Sequence, residues 1–337
     1  KSRIHSKKTY TLSDNNYIAR QYGFDVQHEW DFRGGKDYFI AGVLGKRETY
    51  RTTSGPYYGN PHRNSYAIYG TYSYQINPKW TSILGLRYSD IKDPVKNQRV
   101  LIPQFQLEHR INKESSMYIN AGKAFRMPNL SDTFKKINKG YASVSGRNLK
   151  PEEGWNYELG YKHITNKDSW KVALFYMDFK NFFSWKPDSN GKNTIRVNGG
   201  RYRNVGIEAQ YGRKLTDHLK MTVGASYSNP KQREIDKTYW KQANPKLQFT
   251  GGIHYTSPKW IAGSSLNFVT KRMKNRDGGT NPNLVAWNAY VGYQFNQDSS
   301  LRLDARNLLN RNNVISNGDW EYWDEPFNYQ LSYTQKF

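Results

Sequence analysis

Apolar and polar residues alternate one for one through segment after segment of this chain, a period that suits strands and no helix. Tyr22, Phe24, Val26, His28, Trp30 and Phe32 alternate with Gly23, Asp25, Gln27, Glu29 and Asp31. Leu84, Leu86 and Tyr88 alternate with Gly85, Arg87 and Ser89. Further on, Val205, Ile207, Ala209 and Tyr211 do so with Gly206, Glu208, Gln210 and Gly212, and Leu301, Leu303 and Ala305 with Arg302, Asp304 and Arg306. Each such segment needs water on one face and an apolar medium on the other. A soluble sandwich would meet that demand as well as a membrane barrel.

The connections choose between them. Short turns fall at residues 33–36, 77–79, 112–114, 165–167, 216–217, 257–259 and 296–299. The opposite connections are mostly longer, at 51–63, 91–99, 127–155, 186–200, 230–244, 272–282 and 312–326. Short turns on one side and long loops on the other are the layout of an outer-membrane barrel. Trp30, Phe32, Trp80, Trp170, Trp260 and Phe295 stand at strand ends near the short turns, where an interfacial girdle belongs. Counting back from the aromatic C-terminal strand, residues 328–337, yields about fifteen strands from residue 17 onward, with 3–12 as a sixteenth. Leu84, Leu86, Val291, Leu301 and Leu303 are expected to face lipid, and Arg87, Arg302, Asp304 and Arg306 the lumen.

Composition agrees. Apolar residues make up 36% of the 337, aromatics 15%, with 27 Tyr, which is too little aliphatic core for a soluble protein of this size and too much aromatic pattern for disorder. No run of 18 apolar residues supplies a transmembrane helix, which says nothing against strands. The chain has no Cys, so thiol and thiolate-metal chemistry are excluded. Its net charge of +23 is spread over turns, loops and alternate strand positions, unlike the single basic patch of a nucleic-acid binder.

Two phrases flank the longest loop: GKAFRMPNL at 122–130 and NLKPEEGWNYELGYK at 148–162. With YAIYGTYSYQINPKWTSILGLRY, ALFYMDFKN, NVGIEAQYGRKLT and LRLDARNLLNRNN, they resemble, in order, the barrel of TonB-dependent outer-membrane receptors of the ferric-siderophore type. The resemblance implies an all-β, antiparallel, up-and-down transmembrane barrel, of which these 15–16 strands would be the C-terminal part of 22. On that reading residues 1–337 are barrel, and the plug, the TonB-binding segment and the first strands lie outside this chain. It further implies a receptor rather than an enzyme, without a cofactor, capturing a ferric siderophore at the extracellular face. Import would follow from rearrangement of the plug by the TonB complex.

The ligand-binding residues are then expected in extracellular loops and upper lumen: Arg126, Lys135, Arg147, Trp185, Arg201, Arg203, Arg233, Arg272, Trp320 and Tyr322. Cationic groups beside aromatic rings suit a bulky anionic chelate. The same cations would equally serve lipopolysaccharide phosphates or plain solvation. Arg126, Arg201 and Arg203 are expected near the throat of the funnel. Haem and cobalamin stay open as ligands, although residues 127–150 hold no His. A passive sixteen-stranded porin is the alternative of another class, and it requires the first strand to pair with the last.

Overall fold

The computed structural model describes residues 2–7, 14–52, 61–93, 96–130, 149–187, 194–242, 247–270, 272–273, 279–317 and 321–336. The strands are β1 (Ser2–Lys7), β2 (Asp14–Phe32), β3 (Asp37–Thr52), β4 (His62–Asn77), β5 (Trp80–Lys92), β6 (Gln98–Arg110), β7 (Ser115–Arg126), β8 (Glu152–Ile164), β9 (Asp168–Pro187), β10 (Thr194–Lys214) and β11 (Leu219–Ser228). They continue with β12 (Lys231–Arg233), β13 (Lys241–Gln242), β14 (Leu247–Thr256), β15 (Trp260–Thr270), β16 (Arg272–Met273), β17 (Thr280–Asn281), β18 (Leu284–Gln294), β19 (Ser299–Arg306), β20 (Val314–Asn317), β21 (Glu321–Trp323) and β22 (Asn328–Gln335). Eighteen of them form one sheet, in which β12 and β13 extend the β10/β11 hairpin and the other sixteen are long meander strands. Every long strand pairs antiparallel with its predecessor. The pairs β16/β17 and β20/β21 are small hairpins within long connections. Among the described residues no ladder joins β22 back to β1.

All seven expected short turns are present, and their chemistry is local. Asn77, Asn112 and Asn296 each accept two backbone N–H groups through Oδ1, two and three residues on, at 2.8–3.0 Å. Thr165 and Thr216 do the same through Oγ1 at 2.8–3.2 Å. A side-chain oxygen that bonds the backbone ahead of it mimics a turn, so each closes without help from the sheet. The first turn differs: Arg33, Gly34 and Gly35 all take positive φ (52°, 67° and 79°). There Arg33 pairs with the buried Asp37 and donates Nη2 to the Gln75 carbonyl at 2.6 Å, while the Gln75 N–H donates to Asp37 Oδ1 at 2.8 Å. That network ties the first turn to the foot of β4.

Register separates two faces. Leu84 pairs with Tyr72 and Phe105, Leu86 with Gly70 and Pro103, and Leu303 with Val291 and Leu331, all on one side. Arg87 pairs with Tyr69, and Asp304 with Tyr290, on the other. On that polar side Arg302 holds Asp304 through two hydrogen bonds of 2.8 Å and lies 4.1 Å over the Tyr290 ring. The apolar face is exposed along its length, with Leu84, Leu86, Val291, Leu303 and Leu331 all open. Close above the short turns it carries a row of rings: Trp30 stacks on Phe39, Trp80 lies against His109, Trp170 against Tyr211, and Trp260 against Tyr293.

Candidate ligand-facing surface

Alternation carries the polar face up to the level of the long loops. There Lys46, Glu48, Arg63, Ser65, Arg87, Ser89, Arg126 and Leu130 line a cavity of about 790 Å³. Arg63 is buried and fully engaged: it meets Asp93 at 2.8 Å and Glu48 at 3.9 Å, and donates Nη2 to the Pro128 carbonyl at 2.7 Å. It thus fixes the MPNL turn at the start of the longest loop. Lys46 sits 3.2 Å from Glu48, and Arg87 donates Nε to Ser89 Oγ at 3.2 Å. Among the lining residues Arg20, Lys46, Arg63, Arg87 and Arg126 are cationic and Glu48 alone is a carboxylate, so the wall is electropositive.

Beside it a second group is built on Phe183. Arg126 Nε donates to Glu152 Oε2 at 2.6 Å, and the Phe183 N–H donates to Glu152 Oε1 at 2.7 Å. The Arg126 and Arg196 guanidinium carbons lie 5.7 Å and 5.1 Å from the Phe183 ring centroid. Cation–π attraction holds both groups about one ring, leaving Arg126 largely exposed above a buried carboxylate. The arrangement has donors for an anion and an aromatic surface for a planar group, and it has no nucleophile–base pair. Among the described residues no group of His, Asp and Glu could hold a metal ion.

A family model described as TonB dependent receptor-like, beta-barrel, matches residues 3–308. The chain belongs to this family. As a TonB-dependent receptor barrel it is a protein of the bacterial outer membrane, and its exposed apolar face meets the hydrocarbon while its polar face lines the lumen. It is 23% identical over 300 residues to the metal-pseudopaline receptor CntO of Pseudomonas aeruginosa (strain UCBPP-PA14), covering 78% of this chain and 39% of that protein. It is 23% identical over 262 residues to the vitamin B12 transporter BtuB of Photobacterium profundum, covering 77% and 39%. The receptor barrel therefore spans well under half the length of these relatives. In fold it is similar to the FrpB iron transporter from Neisseria meningitidis, with a TM-score of 0.77 at 15% identity over 98% of this chain and 58% of that one.

The expected site residues divide. Arg126 stands on the lumen face, at the mouth of the cavity. Arg201 and Arg203 do not stand beside it. Arg203 follows the period of Val205 and Ile207, and pairs across with Asp178, which continues Tyr176 and Leu174; the period of two places all of these on the outer face. Arg233 pairs with Arg201 and shares that face. The throat expectation for Arg201 and Arg203 is corrected accordingly. Arg272 lies in the loop hairpin β16/β17, where it donates to the Ile315 carbonyl at 2.9 Å and burial pushes its guanidinium pKa down. Tyr322 is exposed on β21. The Trp185 backbone pairs with Arg196, its side chain lying outside the described residues together with Lys135, Arg147 and Trp320. Sequence reading missed Lys46, Arg63, Glu152 and Phe183 as members of the site. Counting in twos from Arg87 and its cross-strand partners would have found the first two.

Proposed function

We propose that this barrel belongs to an outer-membrane receptor that captures an anionic ferric siderophore at its extracellular face, and that a plug segment rearranged by the TonB complex admits it. The observation that carries the reading is the cationic upper lumen, with Lys46, Arg63 and Arg87 on one wall and the Arg126–Phe183–Arg196 group beside it. Guanidinium groups over a ring suit a chelate that is both negative and planar. A ferric-pyoverdine receptor of a Pseudomonas strain, 23% identical over 219 residues, supports this ligand class, and the metal-pseudopaline receptor supports a metal chelate more broadly. Cobalamin is the second reading, favoured by the likeness to BtuB. The barrel does no chemistry on its cargo in either case and needs no resident cofactor.

The test is binding of the full-length receptor to a panel of ferric siderophores, haem and cobalamin, in wild type and in Arg87→Gln/Arg126→Gln. Preferential binding of one anionic ferric siderophore, weakened in the variant, supports the proposal, and selective binding of haem overturns it. Selective binding of cobalamin, indifferent to the variant, overturns it.

A further inference from the structure

From the Trp170/Tyr211 pair upward, the β10/β11 ladder records the outer medium rung by rung. Tyr211 faces Val223, Ala209 faces Ala225 and Ile207 faces Tyr227. The Asn229 N–H then donates to the Val205 carbonyl at 2.8 Å, and the two strands stay in register into β12. The next rungs of the same face are Arg203 opposite Lys231, and Arg201 opposite Arg233. Val205, Ile207 and Tyr227 are 53%, 40% and 50% exposed, as lipid-facing residues are. A tilted strand crosses the apolar band in about ten residues, which is the interval from Tyr211 to Arg201. The basic rungs therefore stand at the level of the outer-leaflet headgroups, on the side away from the lumen.

Two successive rungs of directly opposed like charges destabilise a ladder unless counter-charge is supplied. The protein supplies little. Asp178 accepts from Arg201 Nε at 2.8 Å and Nη2 at 2.6 Å and lies 3.4 Å from Arg203 Nε. Among the described residues no carboxylate lies within ion-pair distance of Lys231 or Arg233. Trp240 braces the group: Arg203 and Arg233 lie 5.1 Å and 5.2 Å from its ring centroid, which holds two guanidinium groups side by side. Trp155, on the rung of Asp178 and Arg203, stacks in series with Tyr157 and Tyr176 on the rung below, at 6.1 Å and 6.3 Å, a belt at the hydrocarbon boundary.

We infer that Arg201, Arg203, Lys231 and Arg233, braced by Trp240, bind a phosphomonoester of an outer-leaflet glycolipid of the lipid A kind. Four cations against one carboxylate match a group that carries about −1.5 to −2 at neutral pH better than the single charge of a phosphodiester lipid. Paired guanidinium forks present the donors that phosphate oxygens accept. The inference rests on the outer face alone and is independent of which ligand the lumen takes.

The full-length receptor in detergent is titrated with bisphosphorylated lipid A, dephosphorylated lipid A, phosphatidylglycerol and inorganic phosphate, with bound species counted by native mass spectrometry. Wild type should retain bisphosphorylated lipid A in preference to the other three. Lys231→Gln/Arg233→Gln, which leaves the Asp178 network in place, should weaken that retention by about ten-fold or more, the scale of lost charge-assisted hydrogen bonds. Arg87→Gln/Arg126→Gln removes the same charge from the lumen and should leave lipid retention unchanged. Equal retention in wild type and Lys231→Gln/Arg233→Gln overturns the inference. So does equal retention of dephosphorylated lipid A or phosphatidylglycerol, and inorganic phosphate binding as tightly as the lipid reassigns the cluster to free anions. The wild-type comparison across the four probes decides the matter even if the variant fails to assemble.

Discussion

Arg126 and Glu152 close the longest loop of the barrel on itself: Arg126 Nε donates to Glu152 Oε2 at 2.6 Å, while Glu152 Oε1 takes the Phe183 N–H at 2.7 Å. The two residues belong to the two phrases that flank that loop, and they are directly paired at the ends of β7 and β8. Glu152 is buried and Arg126 is open, so the carboxylate aims the cation. In a double-mutant cycle on ligand binding, Glu152→Gln and Arg126→Gln should each weaken affinity, and the double variant should lose little more. A coupling energy of about 0.5–3 kcal/mol is expected for contacting residues. Strict additivity would show that the two act separately.

Ligand binding should weaken as salt rises, because charges at an open cavity are screened over about 8 Å at physiological ionic strength. Arg87→Gln/Arg126→Gln should flatten that dependence as well as lower affinity. The same slope in wild type and variant would remove the lumen cations from ligand capture.

Leu303 sits between Val291 and Leu331 on the outer face. Leu303→Arg should cost about 2–4 kcal/mol if the site is at mid-membrane, read as loss of the heat-modifiable folded band. Asp304→Asn, one residue away on the lumen face, should cost less. The reverse order would mean that the register of β19 is off by one.

Gly154 is a packing glycine. A Cβ there would stand 2.3 Å from the Asp178 carbonyl oxygen and 2.7 Å from Phe179 Cα, backbone atoms that cannot swing aside. Gly154→Ala should therefore destabilise the barrel by about 1–3 kcal/mol. At Gly251 nothing lies within 4 Å, and Gly251→Ala should stay within about 0.5 kcal/mol of wild type. Urea unfolding in detergent would expose the contrast, and equal midpoints would refute it.

At the first short turn the hydrogen bond from Arg33 holds the Asp37 carboxyl below the usual carboxylate range. A depressed folded pKa contributes stability above the unfolded value, about 3.9, and that stability is lost as pH falls through the folded value. Wild type should thus lose folded barrel on acidification below about pH 4, and Asp37→Asn should lack this component while being less stable at neutral pH. The measurement is folded-band intensity from pH 2 to 7. Superimposable wild-type and variant profiles would sink the assignment.

Period two and turn chemistry were legible in the residues themselves. The order of Leu303, Asp304 and Ala305 fixes their faces once one of them is placed, and Asn77, Asn112, Thr165, Thr216 and Asn296 close their turns with their own side chains. The outer placement of Arg203 was legible too, two residues before Val205, had the alternation been followed past the strand's apolar part. Arg196 was not: the register shifts between Val197 and Tyr202, with Gly199 at φ 129°, break the count from Val205, so no periodicity predicts its face. Glu152 beneath Arg126, Phe183 between two guanidinium groups and the Arg63 bond to Pro128, 65 residues away, belong to the tertiary structure alone. Alternation is a property of one strand and needs only its own residues. A binding wall is a property of several strands at one height, and that height depends on how each long loop and bulge sets the strands against one another.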